Sequence, residues 1–358
     1  MPSTKSWLRS KPLRAIVLSF ALLGVIFACS KSSEETIYQS QIFAFGTLVE
    51  ISLFDIDSQQ GDELSADLRN MMEDFHQHWH AWEPGALNTI NQSLSQTGHS
   101  KIAQEDAELI EQALTLAKRS KGLFHPAIGK LSALWGFHSE ETPTTPPSDS
   151  DIKEVLSLIP TLDKFNIEGD NISVASGKPI YFDLGGFAKG IIVDHAIETL
   201  REQGVSNAII NAGGDLRAIG NAGNRPWRIG IRHPRDLGVF ASLTIENDEA
   251  VFTSGDYERY FEYGGQRYHH ILDPRSGYPA SGIASVTIVH SDGATADAAA
   301  TALFIAGIEQ WKTVASSMGI SHVMIIDVDN NVLITPELAQ RMQYETDPLP
   351  KTTVVSLP

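Results

Sequence analysis

The sequence predicts an α+β fold in which mixed sheets pack with helices. Stretches with apolar residues at helical spacing are separated by irregular numbers of short β-branched stretches, whereas a doubly wound parallel sheet requires a regular alternation of strand and helix. In the second half, strand candidates follow one another directly from residue 207 to residue 291. The 358 residues, 42% of them hydrophobic, suffice for a large core or for two lobes that share a site.

The N-terminus has the pattern of an export signal. Residues 1–14 contain four basic and no acidic residues, and an apolar run over residues 15–28 ends at Cys29. This run is shorter than the roughly 20 residues of a membrane-spanning helix. Because its end is similar to a bacterial lipoprotein processing site, we expect residues 1–28 to be a lipoprotein signal peptide and residues 29–40 to be a linker from a lipidated Cys29.

The expected location follows from this signal. A lipid on Cys29 would anchor the protein in the cell envelope, facing the periplasm, at the inner or the outer membrane. The alternative is an ordinary secretory signal with an incidental cysteine. Cys29 is the single cysteine of the sequence, which excludes an intramolecular disulfide framework.

The net charge excludes one class of partner. The formal charge is −17, and removal of the four basic residues of the signal would leave −21 (−17 − 4). A field of this sign repels phosphate backbones, so we expect no nucleic-acid partner.

The first half is predicted to begin with a strand and to continue with helices. Residues 42–55 have the β-branched and aromatic content of a strand. Apolar residues at helical spacing predict helices over residues 62–82 and 106–121. Residues 123–137 are expected to form a turn and a short helix, and three prolines in residues 140–149 predict a surface loop.

The second half is predicted to contain a helix, a hairpin, a strand with a glycine turn and a helix, then a run of strands, another helix and a final strand pair. The helix is expected at residues 151–159, the hairpin at residues 164–175, and the strand, glycine turn and helix at residues 179–204. The run of strands is expected at residues 207–220, 227–234, 241–255, 260–273 and 285–291. The next helix is expected from residue 295, and the final strand pair at residues 322–335. We expect one domain over residues 41–340 and a C-terminal tail over residues 341–358.

A helical pair near the C-terminus indicates a metal site. Asp297 and Thr301 are four residues apart, and residues at this spacing share one face of a helix. A carboxylate and a hydroxyl can both bind a hard cation such as Mg²⁺, which takes oxygen ligands. The alternative is that Asp297 caps its own helix and that Thr301 bonds to the backbone of that helix.

A histidine pair suggests a general base. His269 and His270 are adjacent in a predicted strand, and a neutral imidazole can accept the proton of a hydroxyl nucleophile near pH 7. Because side chains alternate across a strand, Tyr268 and His270 share one face and His269 takes the other. We therefore expect His270 to be the base and His269 to be structural, while Asp273 could orient such a histidine.

Two glycine turns indicate an anion site. Residues 182–190 place Asp183 at the end of a predicted strand and Lys189 at the start of a helix, and residues 211–220 place Asp215 after a second turn. Glycine lets the backbone approach a ligand closely, and a helix N-terminus favours anions. If each turn follows an apolar strand, their tips lie at the same end of a sheet. The alternatives are a solvated lysine and an aspartate that bonds its own turn.

These motifs, in this order, make the sequence similar to the ApbE family, the flavin transferases of bacterial envelopes. The resemblance extends from about residue 45 to about residue 335 and predicts an ApbE-like domain with an FAD site between two lobes. It rests on FGT (45–47), LNTIN (87–91), PAIGKLSALWGF (126–137), DLGGFAKG (183–190), NAGGD (211–215), TSGDYERYF (253–261), HHILDPRSG (269–277) and TADAAATALF (295–304).

The resemblance implies an enzyme, an FAD:protein FMN transferase. With Mg²⁺, members transfer the FMN half of FAD to a threonine or serine hydroxyl of an exported or membrane flavoprotein subunit and release AMP. The expected acceptors are subunits of Na⁺-pumping NADH:quinone reductase or of Rnf-type complexes. Two alternatives stay open: an FAD pyrophosphatase that yields FMN and AMP, and a non-catalytic FAD-binding lipoprotein.

The resemblance also assigns residues. It implies His270 as the catalytic base and a metal site formed by Asp297, Thr301 and the backbone oxygen of Gly186. The implied FAD contacts are Phe45, Leu123, Phe124, His125, Asp183, Lys189 and Ile271.

Three positions depart from the family pattern. Phe45 replaces a commoner methionine, His125 stands where many members have aspartate, and Ala300 stands where some have a further acid. The last two leave fewer carboxylates near the metal, so the number of bound ions stays open.

Overall fold

The centre of the structure is a nine-stranded sheet with helices on one face and a smaller sheet on the other. The computed structural model describes residues 37–139, 141, 143–175 and 179–358. The predicted signal peptide and Cys29 lie outside the described residues. Within the described residues, no helix is both long enough and apolar enough to cross a membrane.

The helices are short, apart from the first and the seventh. They are α1 (Ser58–Trp79), α2 (Ala86–Thr97), α3 (Gln104–Arg119), α4 (Gly129–Leu134), α5 (Asp149–Leu156), α6 (Ala188–Glu202), α7 (Gly293–Met318) and α8 (Pro336–Ala339), with a 3-10 turn at Leu162–Lys164.

The strands concentrate in the second half, as the sequence predicts. They are β1 (Ile37–Ala44), β2 (Thr47–Phe54), β3 (His99–Lys101), β4 (Phe165–Glu168), β5 (Asn171–Val174), β6 (Ala208–Ala212), β7 (Asp215–Ile219), β8 (Asn221–Ala222), β9 (Arg225–Pro226), β10 (Arg228–Arg232), β11 (Val239–Thr244), β12 (Glu249–Gly255), β13 (Tyr260–Tyr263), β14 (Gln266–His269), β15 (Ile283–His290), β16 (His322–Asp327), β17 (Val332–Ile334), β18 (Met342–Tyr344) and β19 (Thr352–Val354).

The large sheet has the order β1-β2-β6-β7-β12-β15-β16-β17-β19. Its neighbours pair antiparallel except β17 and β19, which are parallel. Alternation along the strands divides the core: Phe252 faces a cluster with the helices, whereas Val251 faces a second cluster with the sheet β10-β11-β18. Both clusters belong to one compact unit, residues 37–358.

Helix α7 runs through the middle of the first cluster. Asp292 caps its start through the Thr295 N–H (2.7 Å), and Gly319 ends it in the left-handed conformation (φ 77°). Non-helical geometry at Gly307 interrupts it. In its first half, this helix has buried, mostly small or apolar side chains on all sides. Neighbouring backbones can therefore approach it closely.

One predicted strand is wrong. Residues 179–183 are extended, but they join no sheet. Instead, the side chain of Asn91 on α2 accepts a hydrogen bond from the Phe182 N–H (2.7 Å) and donates one to the Phe182 carbonyl (2.9 Å). The buried side-chain amide of Asn91 thus bonds the backbone where a neighbouring strand would do so. Of the two glycine turns, only the one at residues 213–214 follows a strand, β6.

Other boundaries also differ from the predictions. Residues 42–55 belong to a hairpin, β1-β2, which begins at Ile37 inside the predicted linker, and residues 241–255 divide into β11 and β12. The stretch predicted as a tail contains β18 and β19, which pair with β11 and β17. By contrast, the predicted helices over residues 62–82, 106–121 and 151–159 are confirmed as α1, α3 and α5.

Candidate active site

The glycine turn before α6 lies against the first half of α7. A Cβ placed on Gly186 would stand 3.2 Å from Thr301 Oγ1. One helical turn earlier on α7, Asp297 Oδ2 accepts a hydrogen bond from the Gly190 N–H (3.0 Å). The structure therefore brings together Gly186, Asp297 and Thr301, the three residues predicted to hold the metal.

Neither alternative for the helical pair describes this geometry. Asp297 caps α6 rather than its own helix, because its carboxylate accepts from Gly190. The Thr301 hydroxyl lies 3.3 Å from the Ser254 hydroxyl on β12. Both side chains therefore face the contact between α6, α7 and the sheet.

Lys189 places a positive charge at the same point. Its ammonium forms an ion pair with Asp215, whose other carboxylate oxygen accepts from the Thr253 N–H (2.9 Å). Burial alone would lower the pKa of Lys189, but the negative charges of Asp215 and Asp297 raise this pKa by more. The net effect is a raised pKa, so the lysine stays charged. Lys189 is therefore ion-paired, although its side chain is 35% exposed.

The carboxyl group of Asp297 loses its proton less readily than an exposed aspartate. Burial and, to a smaller degree, Asp215 raise its pKa to about 7, against the opposing effect of Lys189 and of the Gly190 N–H. An additional cation beside Asp297 would stabilise its ionised form.

Asp215 is a site residue that the sequence analysis did not select. In the alternative interpretation Asp215 bonds its own turn, but Asn211 does so instead, accepting from the Gly214 N–H (2.8 Å). Asp215 is buried and contacts Lys189, which is 26 residues away in the sequence. The available signal was the second glycine turn itself, since the aspartate directly follows it.

His270 has a free ring nitrogen. Its Nδ1 is buried and has no hydrogen-bond partner within the described part of the chain. Its backbone N–H donates to the Arg259 carbonyl (3.0 Å), and its ring meets the Phe137 ring edge-on at 6.4 Å. Burial, Arg259, His269 and Lys189 lower the pKa of His270 to about 3, so the imidazole is neutral at pH 7.

The other members of this motif have structural contacts. His269 is buried and its Nε2 donates to the Ala280 carbonyl (2.8 Å), while its Nδ1 accepts from the Ile271 N–H (3.3 Å). Asp273 accepts from the backbone and the guanidinium of Arg275. These contacts are structural ones for His269, and Asp273 is a turn residue that contacts Arg275 rather than either histidine.

Several predicted FAD contacts have buried side chains. Leu123, Phe124 and Ile271 are at most 5% exposed, so only their backbone could meet a ligand in this conformation. His125 is buried too, with Nε2 3.1 Å from the Pro160 carbonyl, and burial lowers its pKa. Within this arrangement His125 is a packed, neutral side chain and not a metal ligand.

The remaining two predicted FAD contacts lie in turns. Asp183 Oδ1 accepts from the Gly185 N–H (3.0 Å) and shapes the turn before Lys189. Phe45 has φ 56° at the tip of the β1-β2 hairpin. A Cβ on Gly213 would stand 3.1 Å from the Cβ of Thr47, so this tip lies beside the turn that carries Asp215.

Within the described residues, no group of three or more histidine, cysteine, aspartate or glutamate side chains is arranged to hold a metal ion. The predicted metal site therefore offers one carboxylate, from Asp297, together with the hydroxyl of Thr301 and the backbone oxygen of Gly186. These donors are all oxygen atoms, which suit a hard cation.

The family model described as the ApbE family matches residues 45–324. The chain belongs to the ApbE family. The resemblance read from the ordered motifs and the α+β fold of this family are thereby confirmed. The chain is an enzyme of this family, as the names of its relatives indicate.

Sequence relatives and solved structures agree with this family. An FAD:protein FMN transferase of Rhodobacter capsulatus is 37% identical over 96% of this chain, and the chain spans 65% of that relative's length. One of Vibrio cholerae is 29% identical, covering 89% of this chain and 95% of the relative. The ApbE protein of Thermotoga maritima superimposes with a TM-score of 0.78 at 31% identity, over 86% of this chain and 99% of that one.

Proposed function

We propose that this ApbE-family protein transfers the FMN half of FAD to a threonine or serine hydroxyl of an exported or membrane flavoprotein subunit, with Mg²⁺ bound, and releases AMP. The observation that carries the proposal is the convergence of Lys189, Asp297, Thr301 and the Gly186 turn at one point. The names of the sequence relatives support the substrate and the type of reaction.

The donor set fits Mg²⁺. Mg²⁺ is usually bound by one or two carboxylates together with substrate phosphates and water, and the site offers the single carboxylate of Asp297 beside two neutral oxygen donors. The pKa of Asp297, raised to about 7 mainly by burial, indicates a carboxylate with too little compensating charge. When bound, the ion would neutralise charge on the pyrophosphate oxygens.

Lys189 and the glycine turn are suited to hold the pyrophosphate. The ammonium group of Lys189 stays charged and can share its donors between Asp215 and a phosphate oxygen. Gly185 and Gly186 in the turn have no side chains, so a phosphate can approach the backbone closely there.

His270 is suited to accept the proton of the acceptor hydroxyl. In the reaction, the bond from the acceptor oxygen to the FMN phosphorus forms and the bond from that phosphorus to the AMP oxygen breaks. The hydroxyl proton passes to an imidazole nitrogen, for which the buried, unpartnered Nδ1 of His270 is a candidate. An anionic substrate beside His270 would raise its pKa from about 3 towards a value more useful for a base.

The location and the acceptor are part of the proposal. We propose that Cys29 is lipidated and that the protein acts at the periplasmic face of the envelope. An export signal of this kind suits acceptors in the same compartment, such as subunits of Na⁺-pumping NADH:quinone reductase or Rnf-type complexes.

The test is co-expression with a candidate acceptor subunit, followed by mass spectrometry for an FMN adduct on threonine. The His270→Ala variant should bind FAD with wild-type affinity and form no adduct, since the base acts on the nucleophile. His99→Ala, a change of an exposed histidine on β3, is the matched control and should transfer normally. Loss of FAD binding in His270→Ala would show that His270 is a ligand contact instead.

Incubation of the protein with FAD separates the two alternative functions, a pyrophosphatase and a binding protein. AMP release from FAD and Mg²⁺ without an acceptor would identify a pyrophosphatase. Intact FAD after long incubation with Mg²⁺ and acceptor would identify a binding protein without catalytic activity.

A further inference from the structure

Helices α6 and α7 cap each other. The first N–H groups of a helix have no partner within that helix. Asp194 on α6 accepts from the Gly293 N–H (2.8 Å) and the Ala294 N–H (3.3 Å) at the start of α7. In return, Asp297 on α7 accepts from the Gly190 N–H (3.0 Å) at the start of α6.

Arg217 on β7 forms an ion pair with the carboxylate of Asp194. Its Nη1 donates to Asp194 Oδ1 (2.7 Å), and its other donors form two hydrogen bonds with Asp248 (2.8 and 2.9 Å). Arg217 is buried. The start of α7 also carries the capping carboxylate of Asp292. Burial and the negative charge of Asp292 raise the pKa of Asp194, whereas Arg217 lowers it.

The two helices touch through their backbones at this point. A Cβ on Gly190 would stand 2.5 Å from the Gly293 carbonyl carbon and 2.6 Å from Ala294 Cα. No side chain separates the helices, so the hydrogen bonds of Asp194 and Asp297 set how one helix lies along the other.

We propose that Asp194, oriented by Arg217, is a positioning residue for the metal site. This inference rests on the proposed function. The expected metal donors belong to two segments, the turn of Gly186 before α6 and the first half of α7. The reciprocal caps fix the separation of these segments, and they leave one oxygen of Asp297 available for a cation.

The experiment is a Mg²⁺ titration of the full-length protein in the presence of FAD, measured by calorimetry. Loss of a residue that orients a metal ligand typically weakens metal binding by about 10–100-fold. We expect this increase in the Mg²⁺ Kd for Asp194→Asn, with an unchanged affinity for FAD in the absence of Mg²⁺. An equal Mg²⁺ Kd in Asp194→Asn and the wild type would overturn the inference.

The matched control is Asp57→Asn. Asp57 caps α1 by accepting from the Gln60 N–H (2.9 Å), so this variant makes the same carboxylate-to-amide change at a helix cap but leaves the contact between α6 and α7 intact. Its Mg²⁺ Kd should equal that of the wild type. A weakened Mg²⁺ affinity in Asp57→Asn as well would show that general loss of stability, not positioning, causes the effect.

A second measurement keeps the inference testable if Asp194→Asn folds poorly. Arg217→Gln retains the cap but loses its support, and amide hydrogen exchange reports the caps directly. Faster exchange at Gly190 as well as at Gly293 and Ala294 supports coupling of the two caps. Faster exchange at Gly293 and Ala294 with an unchanged rate at Gly190 contradicts it.

The two hypotheses fail in different ways. If the wild-type protein binds no Mg²⁺ with FAD present, the metal part of the proposed function is wrong. If the wild type binds Mg²⁺ and Asp194→Asn binds it equally well, only the positioning role is wrong.

Discussion

Replacement of Gly190 by alanine tests the contact on which the site depends. The added Cβ would stand 2.5 Å from the Gly293 carbonyl carbon and 2.6 Å from Ala294 Cα. Carbon atoms pack favourably at about 3.5–4.0 Å, so the two helices must move apart by about 1 Å. Both neighbours are backbone atoms, so no side-chain rotation relieves the contact.

The expected cost has two parts. Overpacking of a tight core contact costs about 1–3 kcal/mol. The same movement lengthens the hydrogen bond from the Gly190 N–H to Asp297, and loss of a helix cap costs about 0.5–2 kcal/mol. We therefore expect Gly190→Ala to lower the free energy of unfolding by about 1.5–5 kcal/mol.

The effect on transfer should exceed the effect on stability. A displacement of about 1 Å between positioned groups can cost about 100-fold in rate, and Gly190 lies between the Gly186 turn and the start of α7. Urea unfolding measures the first quantity, and FMN transfer under folding conditions measures the second.

Gly230→Ala is the matched control. Its Cβ would stand 3.2 Å from a methyl group of Val239, a side chain that is 46% exposed and free to shift. We expect a change within about 0.5 kcal/mol and normal transfer. Wild-type stability together with wild-type transfer in Gly190→Ala would refute the argument that the backbone contact sets the site.

Two further predictions follow from buried polar groups. Because burial raises the pKa of Asp297 to about 7, protons compete with Mg²⁺ for this carboxylate below that pH. The Mg²⁺ affinity should fall by up to about tenfold per pH unit below pH 7 and level off above it. Calorimetry of Asp297→Asn should show no such pH dependence. Asn91→Ala removes the partner of both the N–H and the carbonyl of Phe182. At about 1–3 kcal/mol per unsatisfied group, it should lower the free energy of unfolding by about 2–6 kcal/mol. Gln92→Ala, at the exposed neighbouring position, should be near neutral in the same urea titration.

Local patterns account for what the sequence predicted correctly in the fold. The amphipathic spacing of α1 and α3 is visible within each segment. The predicted strand at residues 179–183 was wrong because its partner is a side chain, Asn91, about 90 residues away. The turn at Phe45 was not predicted because a positive φ (56°) at phenylalanine has no signal in the sequence.

The same distinction holds for the site. Asp297 and Thr301 could be selected because their spacing on one helix is local. Asp215 could not be separated from an ordinary turn residue, since its partners, Lys189 and the Thr253 N–H, are 26 and 38 residues away. Long-range ion pairs leave no periodic signal, so the structure was needed to find this one.

The proposed metal site has few carboxylates. Asp297 gives one oxygen to the Gly190 N–H, and Ala300, where some family members have an acid, is buried and uncharged. If Mg²⁺ binds here, the protein gives it little negative charge, and we expect most of its affinity to come from the pyrophosphate of the substrate. By linkage, Mg²⁺ then strengthens FAD binding by the same factor by which FAD strengthens Mg²⁺ binding. A rigid contact between α6 and α7 suits this chemistry, because both ligands must meet donors that are already in place.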